Sequence, residues 1–280
     1  MTVLLAVSSA LLVGGADFLG GVLSRAASAV RVAAVAQLAG LVVAVPAALV
    51  VDAERVTRAD VLWSAASGAA VGLGLVLFYT AMARGLISLV APVTAVVGAL
   101  VPVAYAIGGG ERPGALALVG IALAVTAIVL VSLAPAPGRS GPGGIGPIAL
   151  AVAAGLLFGA FYVCLSRVDE AAGLWPVPIL RVGSAAVLVA LALVTTGGLA
   201  IGRALTGRIA LIGALEVAAG VTLLLALQRG PVSVASVLAS LYPVTTTFLA
   251  TFLLRERLRG VQLVGVAVAL VAVVLVSAST

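Results

Sequence analysis

Histidine and lysine are absent from this 280-residue chain, and cysteine occurs once, at Cys164. Without histidine, and with a single thiol, the sequence excludes Cys/His metal centres, internal disulfides and Cys–His or Ser–His nucleophiles. Charge is scarce as well: 9% of residues are charged, where a soluble domain carries about a quarter. At 64% hydrophobic, the chain belongs in a bilayer. The short alternating segments of a membrane β-barrel are missing, which leaves helices, whose backbone groups are satisfied internally. The net charge of +6 comes entirely from arginines. They stand singly or in small groups near segment ends, a spacing that fits interfacial anchoring rather than nucleic-acid binding. No phosphate-binding motif is present, so ATP is not expected as the direct energy source, and no cofactor is called for.

Present instead are long apolar runs broken by charge, Gly or Pro. They predict ten spans: Val3–Leu23, Val32–Val51, Val61–Ala83, Leu86–Gly108, Gly114–Leu133, Pro147–Ser166, Trp175–Thr196, Ile209–Gln228, Pro231–Leu254 and Val261–Ser277. The N-terminal run lacks the basic start of a signal peptide and reads as a retained first span. Residues 134–146, APAPGRSGPGGIG, read as a linker, because their Pro and Gly disfavour helix and strand alike.

The two sides of that linker resemble each other at a constant spacing of 145 residues. Arg84-Gly85 falls on Arg229-Gly230, Ser88 on Ser233, Glu111-Arg112 on Glu256-Arg257 and Gly120 on Gly265. Such matches in a chain dominated by Ala, Val and Leu point to a duplication. Five spans per half is an odd number, so the second half enters the membrane from the opposite side. The expected fold is therefore all-α and integral to the membrane, with ten transmembrane helices as two inverted five-helix repeats, residues 1–133 and 147–280. The charge cluster Arg255–Arg259 then reads as a turn with helix-end charges, or else as a direct participant in substrate transfer.

The segment Ala226–Ser277, with its apolar helix, RERL turn and QLVG start of a last helix, resembles the closing part of an EamA domain. Ala83–Ser132 is its weaker counterpart. The chain thus resembles EamA-type ten-span members of the drug/metabolite transporter superfamily, each half being one EamA-like repeat. The resemblance implies export of amino acids, metabolites or drugs, and cytoplasmic termini in the cell membrane. The arginine distribution points the other way, nine following odd-numbered spans against six elsewhere; the orientation kept as the expectation is that of the resemblance.

Candidate site residues follow from the cost of polar groups in lipid. Asp17 and Glu216 are the acids well inside apolar spans, where a carboxylate costs about 2.5–3.5 kcal/mol. Counting about 1.5 Å per residue from opposite faces places them at nearly the same depth. They are expected to approach each other across a cavity between the halves, carrying a coupling proton or meeting a cationic group; alternatively each is bonded separately to hydroxyls or to an arginine such as Arg181. Ser233, Ser236, Ser240, Thr247 and Thr251 fall on one helix face, which either lines the path or packs. Tyr79, Tyr162 and Tyr242 are candidate cavity walls, and Pro243 is a candidate bend, as are Pro92 and Pro102 in the fourth span. Gln37 either supports the site or ties two helices. Gly68/Gly72 and Gly155/Gly159 read as packing devices, Trp63 and Trp175 as interfacial anchors.

The expected function is secondary transport of a small molecule by alternating access, with protons as candidate coupling ions, lipid as surroundings and no nucleic-acid partner. A monomer suffices for this reading. The competing readings are a facilitative exchanger or channel without proton coupling, and an intramembrane lipid-modifying enzyme. No nucleophile–base pair or metal cluster is visible for the last, so a non-enzyme is expected. Two acids and aromatic walls favour amphipathic or zwitterionic solutes over phosphates.

Overall fold

In the computed structural model, residues 1–24, 26–84, 87–132, 145–254 and 260–279 are described; nearly all of the expected linker and the whole Arg255–Arg259 cluster lie outside them. The described residues form α-helices and one 3-10 turn, with no strand. The helices are α1 (Thr2–Leu23), α2 (Ala29–Val50), α3 (Arg58–Arg84), α4 (Ile87–Gly108), α5 (Ala115–Ser132), α6 (Ile145–Leu165), α7 (Pro176–Thr196), α8 (Arg203–Arg229), α9 (Val232–Ala239), α10 (Tyr242–Leu254) and α11 (Gly260–Ser279). Six of them, α1, α2, α3, α6, α7 and α8, are long and apolar enough to cross a membrane, and four further apolar helical stretches are shorter. The chain is a multi-pass membrane protein. Its outer apolar residues face outward rather than into a core, as at Val50, 83% exposed, and Val194, 85% exposed; lipid is the solvent that accepts them.

Most helices match an expected span, with α8 beginning at Arg203 rather than Ile209. The ninth span differs: Pro231–Leu254 is two helices, α9 and α10, joined at Ser240-Leu241. Pro243 has no N–H to give to the carbonyl one turn back, and the chain instead tightens to i→i+3 bonds, Leu241 N–H to Leu238 O at 3.2 Å and Val244 N–H to Leu241 O at 2.9 Å. Pro46 and Pro102, by contrast, sit inside unbroken helices.

Helices approach closely where glycine removes a side chain. A Cβ on Gly68 of α3 would lie 2.1 Å from the Leu180 carbonyl oxygen of α7, and one on Gly213 of α8 would lie 2.6 Å from the Ala36 carbonyl oxygen of α2. Gly159 of α6 meets Val101 of α4, and Gly14 of α1 meets Thr245 of α10, in the same way. The extensive pairings are α1 with α8, α3 with α6, α3 with α7, α2 with α8, α2 with α7, α4 with α6, and α5 with α11. Exchanging α1–α3 for α6–α8 in order turns each of the first four pairings into another of them, and α2 with α7 into itself.

One end of the bundle is tied by polar contacts between distant segments. Thr57 and Asp60 form a reciprocal cap at the start of α3: Asp60 Oδ2 accepts from Thr57 N–H at 2.8 Å and Thr57 Oγ1 accepts from Asp60 N–H at 3.2 Å. Asp60 Oδ1 also accepts from Asp169 N–H at 3.0 Å, joining this turn to the one after α6. Thr2 Oγ1 donates to Arg229 O at 3.0 Å. Gly110, at φ +99°, takes the left-handed conformation that ends α4, with Glu111 N–H returning to Ala106 O at 2.9 Å. That turn carries the Glu111 carboxylate to the start of α9, where it accepts from Val232 N–H at 3.0 Å and from Ser233 Oγ. Trp63 lies at this end with the Arg167 guanidinium 5.8 Å from its ring centroid.

Candidate functional site

Two connected chambers occupy the middle of the bundle. The inner one, about 210 Å³, is walled by α1, α2, α3, α4, α6, α7 and α8 and by the α9–α10 joint. The outer one, about 500 Å³, is lined by Gly20, Gly21, Ser24 and Ala29, and so leads toward the α1–α2 turn. That is the end away from Thr2, Glu111 and Arg229, none of which lines either chamber. Asp17, Phe158, Glu216 and Tyr242 stand on both chambers.

Among the described residues, the charged side chains of the chambers are Asp17, Arg181 and Glu216. Arg181 of α7 donates from Nη1 to Glu216 Oε2 at 2.5 Å and to Gln37 Oε1 at 2.6 Å. Gln37 Nε2 donates to Glu216 Oε2 at 3.2 Å, and Ser184 Oγ donates to Gln37 Oε1 at 3.0 Å. The cluster draws on α2, α7 and α8, which meet at Gly40 of α2, where a Cβ would lie 3.3 Å from the Gly213 carbonyl oxygen of α8 and 3.6 Å from Arg181 Cδ of α7. It is held inside the protein: the Arg181 side chain is 7% exposed and that of Glu216 26%. An ion pair so little hydrated survives because its members also carry further hydrogen bonds.

Asp17 differs from Glu216. It is exposed, to chamber space rather than to bulk solvent, and no described side chain donates a hydrogen bond to it. The negative charge of Glu216 acts on it across the cavity. The two acids line one cavity, and Glu216 is bonded to Arg181.

The remaining expected residues divide. Tyr162 lines the inner chamber, with its hydroxyl accepting from Ser240 Oγ at 3.4 Å. Tyr242 and Ser240 also line it. Ser236 does not: it is fully buried and donates to Val232 O, one turn back, at 2.6 Å. The hydroxyl face of α9 is thus mainly a packing face, since a serine can satisfy its own helix where no cavity meets it. The side chains of Tyr79, Thr247 and Thr251 lie outside the described residues. Arg181, named from sequence only as a partner for an acid, proves to be a wall residue in its own right. Its signal was available, for an arginine inside an apolar run is as costly as a carboxylate there.

Residues 145–278 match the sequence model of the EamA-like transporter family. The second half of the chain is thus similar to an EamA-like transporter domain. A solved structure described only as "Crystal structure of protein" matches with a TM-score of 0.77 at 19% identity, over 99% of this chain and 96% of that one. At that identity the likeness concerns the fold. No curated protein matches the chain. The matched segment contributes Tyr162, Arg181 and Glu216 to the chamber, and the part of the chain before it contributes Asp17 and Gln37.

Proposed function

We propose that this protein is a secondary transporter that exports a small metabolite, amino acid or drug by alternating access. The observation that carries the reading is a charged cavity in mid-bundle that leads toward one end and is tied shut at the other. A channel needs a path through both ends, and a lipid-modifying enzyme needs reacting groups beside a lipid entry; a one-sided cavity suits a carrier that exposes its site to each side in turn. The scaffold proposed is ten spans in two inverted five-helix repeats, residues 1–133 and 147–280, with 134–146 as linker. The exchange of helix pairings between halves and the recurrence of Gly14/Gly159 and Gly68/Gly213 at a 145-residue spacing support it. With cytoplasmic termini in the cell membrane, the open chamber faces outward.

Protons are the proposed coupling ions, with Asp17 and Glu216 as their carriers. Glu216 is engaged by Arg181 in this conformation while Asp17 is open to the chamber, so a proton or a solute cation reaches Asp17 first. The inner chamber of about 210 Å³ is smaller than the roughly 300 Å³ at which sites for drug-sized ligands begin, which favours metabolites over drugs. Counterflow of labelled solutes into proteoliposomes, repeated across pH with Asp17→Asn and Glu216→Gln, tests the reading. Transport that falls at least tenfold and loses its pH dependence in either variant is expected. Undiminished transport in both removes the acids from the mechanism, and uptake without counterflow indicates a channel.

A further inference from the structure

We infer that Glu111 is the latch of the tied end: by holding the start of α9 it keeps that end shut, and its release is the step that opens it. The inference rests on the alternating-access reading and concerns a contact that lies outside both chambers.

An eight-residue helix, α9 is marked off at each end, by Gly230-Pro231 before it and by the tightened joint at Ser240-Leu241 after it. Pro231, at its N-cap, has no side-chain oxygen to accept from the first amides. Water does not reach the start of the helix freely, since Ser233 is fully buried and Val234 nearly so. The acceptor comes from 121 residues away: Glu111 takes the Val232 N–H at 3.0 Å and also the Ser233 hydroxyl. Because Glu111 stands on the turn after α4, just beyond the left-handed Gly110, the tie joins two separate segments instead of closing a helix on itself. A second tie lies beside it. Thr2 Oγ1 donates to Arg229 O at 3.0 Å, and Gly230 is what admits Thr2, since a Cβ there would collide with it. Of the two ties the one to Glu111 is the stronger, because hydrogen bonds to a charged acceptor are roughly twice as strong as neutral ones.

Placement makes this contact a switch. At about 1.5 Å per residue, α9 is about 12 Å long. Its far end is chamber wall: Ala239 and Ser240 line the inner chamber, and Ser240 Oγ reaches the Tyr162 hydroxyl at 3.4 Å. A rigid piece bounded by two breaks moves as a unit while the breaks absorb the change in backbone angles. A proton or solute that displaces the joint therefore displaces the start of α9 too, and the bonds to Glu111 are what oppose it. Glu111 thus acts as a positioning residue, setting the balance between the two access states without touching the solute.

The test is labelling of the full chain in proteoliposomes, in a Cys164→Ser background, with a water-soluble maleimide present on both faces. One reporter, Ser236→Cys, is fully buried one turn behind the tie; the other, Gly21→Cys, lines the outer chamber where a side chain meets open space. Glu111→Ala is expected to raise the labelling rate of Ser236→Cys about fivefold. It is expected to lower that of Gly21→Cys, because a carrier open at one end is shut at the other. Ser233→Ala, which removes the hydroxyl and leaves the Val232 N–H bonded, is expected to move both rates in the same directions by less, and it serves if Glu111→Ala does not fold. Unaltered rates in a folded variant overturn the inference. So does a rise at Ser236→Cys with no fall at Gly21→Cys, which would make Glu111 the cap of a fraying helix and nothing more. Neither result bears on counterflow, which tests the transport reading separately.

Discussion

Asp17 and Tyr162 stand 145 residues apart, on α1 and α6, and both line the inner chamber; Val71 and Glu216, at the same spacing on α3 and α8, do likewise. The glycines at that spacing behave differently. Gly68 and Gly213 each let a backbone carbonyl of α7 or α2 approach, and Gly14 and Gly159 each receive a side chain of α10 or α4. What recurs between the two parts of the chain is the fit of helix on helix; what does not recur is the charge on the chamber wall. Arg181 corresponds in spacing to Ala36, and Gln37 to Val182. Packing needs the same small residue wherever the same crossing occurs, whereas a small cavity tolerates few like charges in low dielectric. Similar helices can therefore surround a site whose chemistry has no symmetry.

The strongest way to break this comparison is at its most asymmetric position. Arg181→Ala leaves the Glu216 carboxylate without its cation, a loss of about 3–5 kcal/mol for a buried pair. The expected result is a large drop in the melting temperature of the detergent-purified protein, partly recovered by adding Glu216→Gln. An unchanged melting temperature would show that the pair is not held in the membrane protein as the structure has it.

Next in size are the symmetric positions. Gly68→Ala and Gly213→Ala each push a Cβ against a backbone oxygen and are expected to cost about 1–3 kcal/mol apiece, by similar amounts. Melting curves that differ widely between the two would argue against equivalent crossings. The smallest effect is expected at the tied end: Glu111→Ala removes the acceptor at the start of α9, worth about 1 kcal/mol by analogy with other helix caps. A variant as stable as the wild type would show that solvent replaces the cap at no cost.

Much of this fold was legible in the sequence because lipid imposes length and apolarity on each span, so helices α1–α8 and α11 could be located from hydrophobic runs broken by Arg, Gly and Pro. The split of the ninth span was only partly legible. Pro243 marked a bend, but Pro46 and Pro102 carry the same local signal within continuous helices, and the packing around them decides the outcome. The acids were legible through their cost in lipid, and so was Arg181, since a cation inside an apolar run is as costly as a carboxylate. Ser236 was placed on a hydroxyl face by periodicity, which groups residues on a face without saying what the face meets. The bond from Val232 to Glu111 joins residues far apart in sequence and left no local trace.

The interruption between α9 and α10 has a consequence independent of any side chain. Ala239, Ser240 and Tyr242 place that break on the wall of the inner chamber. Each helix carries about half an elementary charge at its termini, negative where α9 stops and positive where α10 starts. A passing solute consequently meets a fixed backbone field that no pH change can titrate away and that a point mutation of a polar side chain leaves in place.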